Sequence, residues 1–190
     1  MPIDELLQIL RSQKSPELAW KQVLDLCRKA EPSQLWDSLP EVDFKRDAQA
    51  VLSWIEGELA DVPGPCGVYL GLDTLNMEEG QGTNLAIGWS ADCDTSKNDV
   101  QWIYERLNHG SDTLIEGLYE LHAGYSQPQW DAEFGFADYV LFLAYSGLVL
   151  REVLSGWSAL QPMLFAWGFP DGDMFVLGRS GPAGFELVCA

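Results

Sequence analysis

Leu6, Leu7 and Leu10 recur at helical spacing, behind Pro2 and Asp4, residue types that favour a helix start. The same period returns in Leu18, Val23, Leu26 and Cys27. Ser15 is a good N-cap there and Pro16 suits the first helical position, so a second helix is predicted to run to Lys29. "SQLWDSL", Ser33 to Leu39, fits a short helical turn between Pro32 and Pro40. Asp43 then caps a long helix through Asp61, with Ala48, Val51, Leu52, Ile55 and Leu59 on one face.

At "DVPGPCG", Asp61 to Gly67, two prolines and two glycines end helical propagation. Val68, Leu70 and Leu72 then alternate with Tyr69, Gly71 and Asp73, the period of a strand. A polar loop from Asn76 to Asn84 leads to a second strand, "LAIGWS", and another polar loop covers Ala91 to Asp99. Ser96 or Asn98 caps a helix carrying Trp102, Ile103, Arg106 and Leu107, which Gly110 breaks. Leu114, Ile115, Leu118, Tyr119 and Leu121 fit a helix or a strand up to Gly124, and a loop surrounds Pro128. The longest apolar run, Phe134 to Leu150, is interrupted by Asp138 and weakened by Gly135 and Gly147. It predicts a buried helix from Phe136 to Leu154, stopped by Gly156, rather than a membrane span. Last come "MLFAWGF" and "MFVLGR" around "PDGD". Asp-Gly at the centre of a two-residue connection signals a hairpin turn with positive φ.

These elements predict an α+β fold in a single domain over residues 1–190. A helical part covers 1–62 and a mixed part 63–190. The sheet is expected to be antiparallel, with about four strands from two hairpins and the helices packed on one of its faces. A chain of 190 residues that is 47% apolar can bury a core without disulfide or metal staples.

Charge narrows the choice of partner. The chain has 29 acidic and 11 basic side chains, a formal net charge of -18. From Asp47 to Glu105 there are 11 acids against one base, Lys97. Such a field repels nucleic acid and anionic membranes and attracts basic surfaces. Solubility alone also accounts for an acidic composition, and that alternative stays open. Cys27, Cys66, Cys93 and Cys189 show no CxxC spacing and suit neither a zinc ribbon nor a redox motif. With an N-terminus lacking the features of a signal peptide, they point to a reducing, cytoplasmic setting.

Little in the chain resembles catalytic machinery. His109 and His122 are isolated, and each fits a helix end or a surface. No P-loop and no GxGxxG is present. "PDGD" lacks the further oxygens and the closing glutamate of a calcium loop, so no metal and no cofactor is expected. Glu78 and Glu79 form a carboxylate pair of the kind used in glycoside hydrolysis, and eight tryptophans would suit a sugar cleft. A small-molecule or carbohydrate enzyme or binding domain is therefore the alternative reading.

The pattern "GVYLGLDTLN…LAIGWS", followed downstream by "WGFPDGDMFVLG", resembles small acidic bacterial immunity proteins of toxin–immunity systems. The resemblance rests on composition and the two hairpins, and no catalytic or binding motif transfers with it. It implies a non-enzymatic protein that occludes the active site of a basic toxin. The residues expected to meet such a partner are Glu78, Glu79, Asp92, Asp94, Trp102, Trp130, Asp171 and Asp173. Carboxylates would take the place of an anionic substrate and aromatic rings would anchor the contact. A homo-oligomer stays open.

Overall fold

The computed structural model describes residues 3–39, 41–73, 84–123, 137–157 and 159–188. Helix α1 (Ile3–Leu10) buries Leu6, Leu7 and Leu10. Helix α2 (Pro16–Ala30) starts as its sequence dictates: the Ser15 side chain accepts a hydrogen bond from the Leu18 N–H, and Pro16 is at the first position. A 3-10 turn at Gln34–Asp37 precedes α3 (Phe44–Leu59), where Asp43 accepts from the N–H groups of Lys45 and Arg46. Capping oxygens satisfy donors that the first helical turn leaves free.

Among the described residues six strands form one sheet, in the order β3-β2-β1-β4-β5-β6. They are β1 (Gly67–Asp73), β2 (Asn84–Ser90), β3 (Asn108–Leu114), β4 (Met163–Gly168), β5 (Met174–Gly181) and β6 (Gly184–Leu187). Three more helices are described: α4 (Gln101–Arg106), α5 (Glu116–Ala123) and α6 (Ala137–Ser155). The α+β class holds, and both expected hairpins, β1–β2 and β4–β5, are present.

Several details differ from the sequence reading. The sheet has six strands rather than about four and is mixed, because β1 pairs in parallel with β4. The chain beyond α4 becomes an edge strand, β3, paired with β2. The "PDGD" turn forms, but not as a two-residue connection. Gly168 carries the positive φ, +143°. Phe169 to Gly172 then close a tighter turn in which the Gly172 N–H donates to the Phe169 carbonyl at 3.0 Å, with Pro170 in its second position.

Alternation sorts the sheet residues to two faces. Val68, Leu70, Leu72, Leu85, Ile87, Phe165 and Trp167 join the main core. Helix α6 runs through that core, and α1, α2 and α3 pack around it. The expected contact of this helix with the sheet is present: the Trp167 indole N–H donates to the Leu143 carbonyl at 3.1 Å. The second face holds a smaller cluster around Tyr69, Trp102, Leu164, Ala166 and Val176, covered by α4. One helix thus lies opposite the other packed helices, where all were expected on one face. No helix among the described residues is long and apolar enough to cross a membrane.

Candidate functional site

Strand β1 carries Tyr69, Gly71 and Asp73 on the second face. In the register, Gly71 stands beside Ala86 and Tyr69 beside Gly88 on β2. Asp112 of β3 stands beside Ala86, and His109 beside Gly88. Small residues therefore line this part of the sheet, and the Leu107 side chain lies directly over Gly88, within 2.6 Å of where a Cβ would stand. The result is a mainly apolar hollow of about 190 Å³. Gly71, Ala86 and Gly88 line it from the sheet, with Tyr104, Leu107 and Met174 around them and Pro170 nearby. Tyr104 is 64% exposed, which leaves its ring open to a partner. Tyr69 is buried and its hydroxyl donates to the Gly168 carbonyl at 3.0 Å; burial, then the charges of nearby groups, pushes its phenol up.

Three carboxylates gather at this end of the sheet. Burial holds the Asp73 carboxyl above the ordinary carboxylate range, and the charges of Asp112 and Asp171 raise it further. Among the described residues, none of these three has an ion-pair partner. Asp173, on the same connection as Asp171, accepts a hydrogen bond from the Tyr139 hydroxyl, whose ring stacks on Phe169. An apolar hollow beside unneutralised carboxylates is suited to a cation on an aliphatic stem, with an exposed tyrosine ring to flank it.

The described acids among those expected from the sequence fall in two places. Asp92 and Asp94 lie in the loop after β2, at the start of β1. Asp171 and Asp173 lie beyond its end, a strand length of roughly 20 Å away. The first pair is already neutralised within the chain. Asp92 pairs with Arg106, and Asp94 pairs with Lys97 at 3.1 Å. Hydrogen bonds from Ser96, then Lys97, hold the Asp94 carboxyl at about 2. Arg179 clamps the same loop through the carbonyls of Thr95 and Ser96 and the side chain of Asn98. Glu78, Glu79 and Trp130 lie outside the described residues.

Trp102 is 5% exposed and packs against Gly67, where a Cβ would come within 2.9 Å of its ring. Its role in this conformation is to seat α4 on the sheet rather than to present a ring to a partner. Asp73, Asp112 and the hollow were not singled out from the sequence. Alternation placed Asp73 opposite Val68, Leu70 and Leu72, but nothing local says that β3 brings Asp112 beside it.

Two other polar or concave places are less suited to a ligand. A groove of about 630 Å³ between α3 and α6 is larger, but Lys45 offsets part of the charge of Glu56 and Glu152 on its walls. The buried Asp47 carboxylate is fully engaged. It accepts from Arg46 Nε at 2.9 Å, the Gly117 N–H at 2.8 Å and the Tyr145 hydroxyl at 2.7 Å. Arg46 also grips Glu120 through two bonds, so this network ties α5 to α3 and α6. Among the described residues no group of three or more His, Cys, Asp or Glu side chains is placed to hold a metal ion. Comparison with protein-family models, with curated proteins and with solved structures yields no match to the chain.

Proposed function

We propose that this is a non-enzymatic protein that binds a basic protein partner at the end of the sheet carrying Asp73, Asp112, Asp171 and Asp173. The observation that carries the reading is the set of three carboxylates, without an ion-pair partner among the described residues, beside a mainly apolar hollow. A lysine or arginine of the partner lays its stem in the hollow and its charge among Asp73, Asp112 and Asp171. That cation relieves the mutual repulsion of the carboxylates, so binding gains more than the same contact on a neutral surface. The net charge of -18 steers a basic surface toward the protein from a distance. In its most concrete form the partner is a cytoplasmic toxin with a basic active-site cleft, which the protein occludes.

The test is a tagged capture from cells of the native host, with salt elution and mass spectrometry. It compares the wild type, the triple variant Asp73→Asn/Asp112→Asn/Asp171→Asn, and the control Asp92→Asn/Asp94→Asn. A basic protein held by the wild type and the control, and lost from the triple variant, is the expected result. Equal capture by all three, or loss from the control alone, rejects this surface.

A further inference from the structure

The four cysteines carry no motif in sequence, yet the fold brings two of them together. Cys66 stands immediately before β1 and is held by the sheet on both sides. Its N–H donates to the Ser90 carbonyl at 2.8 Å, and its carbonyl accepts from the Leu164 N–H at 2.7 Å. Beyond β2 the Ser90 hydroxyl folds the chain back on itself. It accepts from the Asp92 N–H at 3.1 Å and donates to the Asp92 carbonyl at 3.2 Å. This turn aims the Cys93 N–H at Cys66 Sγ, 2.8 Å away. A backbone nitrogen that close places the Cys93 Cβ within about 5 Å of the Cys66 sulfur, so the two side chains are neighbours and a bridge requires the Cys93 sulfur to turn toward Cys66. Both residues are partly exposed, whereas Cys27 is buried in the helical core.

We propose that Cys66 and Cys93 form an oxidisable dithiol, which a low-molecular-weight disulfide converts to an intramolecular disulfide bridge. The oxidant R–S–S–R is attacked by the Cys66 thiolate, giving a mixed disulfide and one RSH. The Cys93 thiolate then attacks the Cys66 sulfur and expels the second RSH. Two protein thiols are oxidised, one small disulfide is reduced to two thiols, and the sulfur–sulfur count is unchanged. Burial, then Cys66 itself and the charges of Asp92 and Asp94, push the Cys93 thiol up, while Cys66 Sγ receives the Cys93 N–H. Cys66 is therefore assigned the first attack and Cys93 the second, its proton leaving with the second RSH. The bridge fastens the 91–99 loop, already clamped by Arg179, to the start of β1. It links two positions 27 apart in the chain that the native fold has already brought together. This site is independent of the proposed partner surface, which lies at the other end of β1.

The wild-type protein, unmodified and reduced, is incubated with glutathione disulfide, then digested without reduction and mapped by mass spectrometry. The expected product is a Cys66–Cys93 linked peptide, in a protein that has lost two hydrogens and melts about 5–10 °C higher. In Cys93→Ser the reaction is expected to stop at a glutathione adduct on Cys66. The proposal is overturned by a link to Cys27 or Cys189, by dimers joined through a disulfide, or by two stable glutathione adducts on the wild type. Failure to lose hydrogens under diamide, which oxidises dithiols directly, overturns it equally.

Discussion

Asp73 shows how one side chain reports on the candidate site. Its carboxyl is raised first by burial and then by Asp112 and Asp171. A carboxyl whose folded pKa lies above its unfolded value binds its proton more tightly in the folded state. Its favourable contribution is complete below the unfolded pKa of about 4 and is lost as pH rises through the folded value. Asp73→Asn removes the ionised form. The variant is therefore expected to melt higher than the wild type at pH 7, with the difference shrinking to nothing below about pH 4. Melting curves across that range check this; a variant less stable at pH 7 would show that the Asp73 carboxylate is held by favourable bonds instead. At this scale the sequence exposes part of the site. Asp171 and Asp173 stand out because the Asp-Gly turn is legible, and Asp92 and Asp94 because their loop is polar. Which acids are free is not legible, because neutralisation of Asp92 depends on Arg106 and that of Asp94 on Lys97 in a folded loop.

At the scale of elements, α5 illustrates where local propensity ends and packing takes over. The apolar residues from Leu114 to Leu121 suited helix and strand alike, and the structure makes a helix from Glu116. Its first turn is fixed by the Gly117 N–H on Asp47, and a Cβ at Gly117 would come within 2.1 Å of the Tyr145 hydroxyl. Gly117→Ala is expected to cost about 2–3 kcal/mol by overpacking and by disturbing the bond between Tyr145 and Asp47. Asp47 Oδ2 and Tyr145 Cζ would each stand 2.5 Å from that Cβ, so Tyr145→Phe, which removes only the hydroxyl, is expected to recover part of the cost and not all of it. A double-mutant cycle by urea denaturation reads the coupling, and strictly additive effects would place the strain elsewhere. The helices α1, α2, α3 and α6 were legible because each carries a cap or a continuous apolar face. Strand β3, "NHGSDTL", was not: it is an edge strand of mostly exposed residues, defined by its pairing with β2. The parallel pairing of β1 with β4 joins segments far apart in the chain, and no local pattern records it.

For the whole molecule, charge acts in two opposed ways, and salt separates them. A net charge of -18 on one compact chain destabilises the folded state through self-repulsion. The described ion pairs relieve it locally, around Arg28, Arg46, Lys97 and Arg106, and leave the Asp73 end of the sheet uncompensated. Screening shortens the reach of that repulsion from about 30 Å at 0.01 M salt to about 8 Å at 0.15 M. The melting temperature is therefore expected to rise steeply with sodium chloride over this range and then level off. The triple amide variant at Asp73, Asp112 and Asp171 should start higher and gain less. Association with a basic partner should respond in the opposite sense, its rate falling over the same salt range because the same charges supply the steering. Stopped-flow or surface-binding kinetics with the captured partner, run beside the melting curves, measure both. If salt stabilises the fold but leaves the association rate unchanged, the acids serve solubility and the contact is made by apolar surface. If both change, and the triple variant blunts both, one set of carboxylates limits the stability of the free protein and recruits the partner that relieves it.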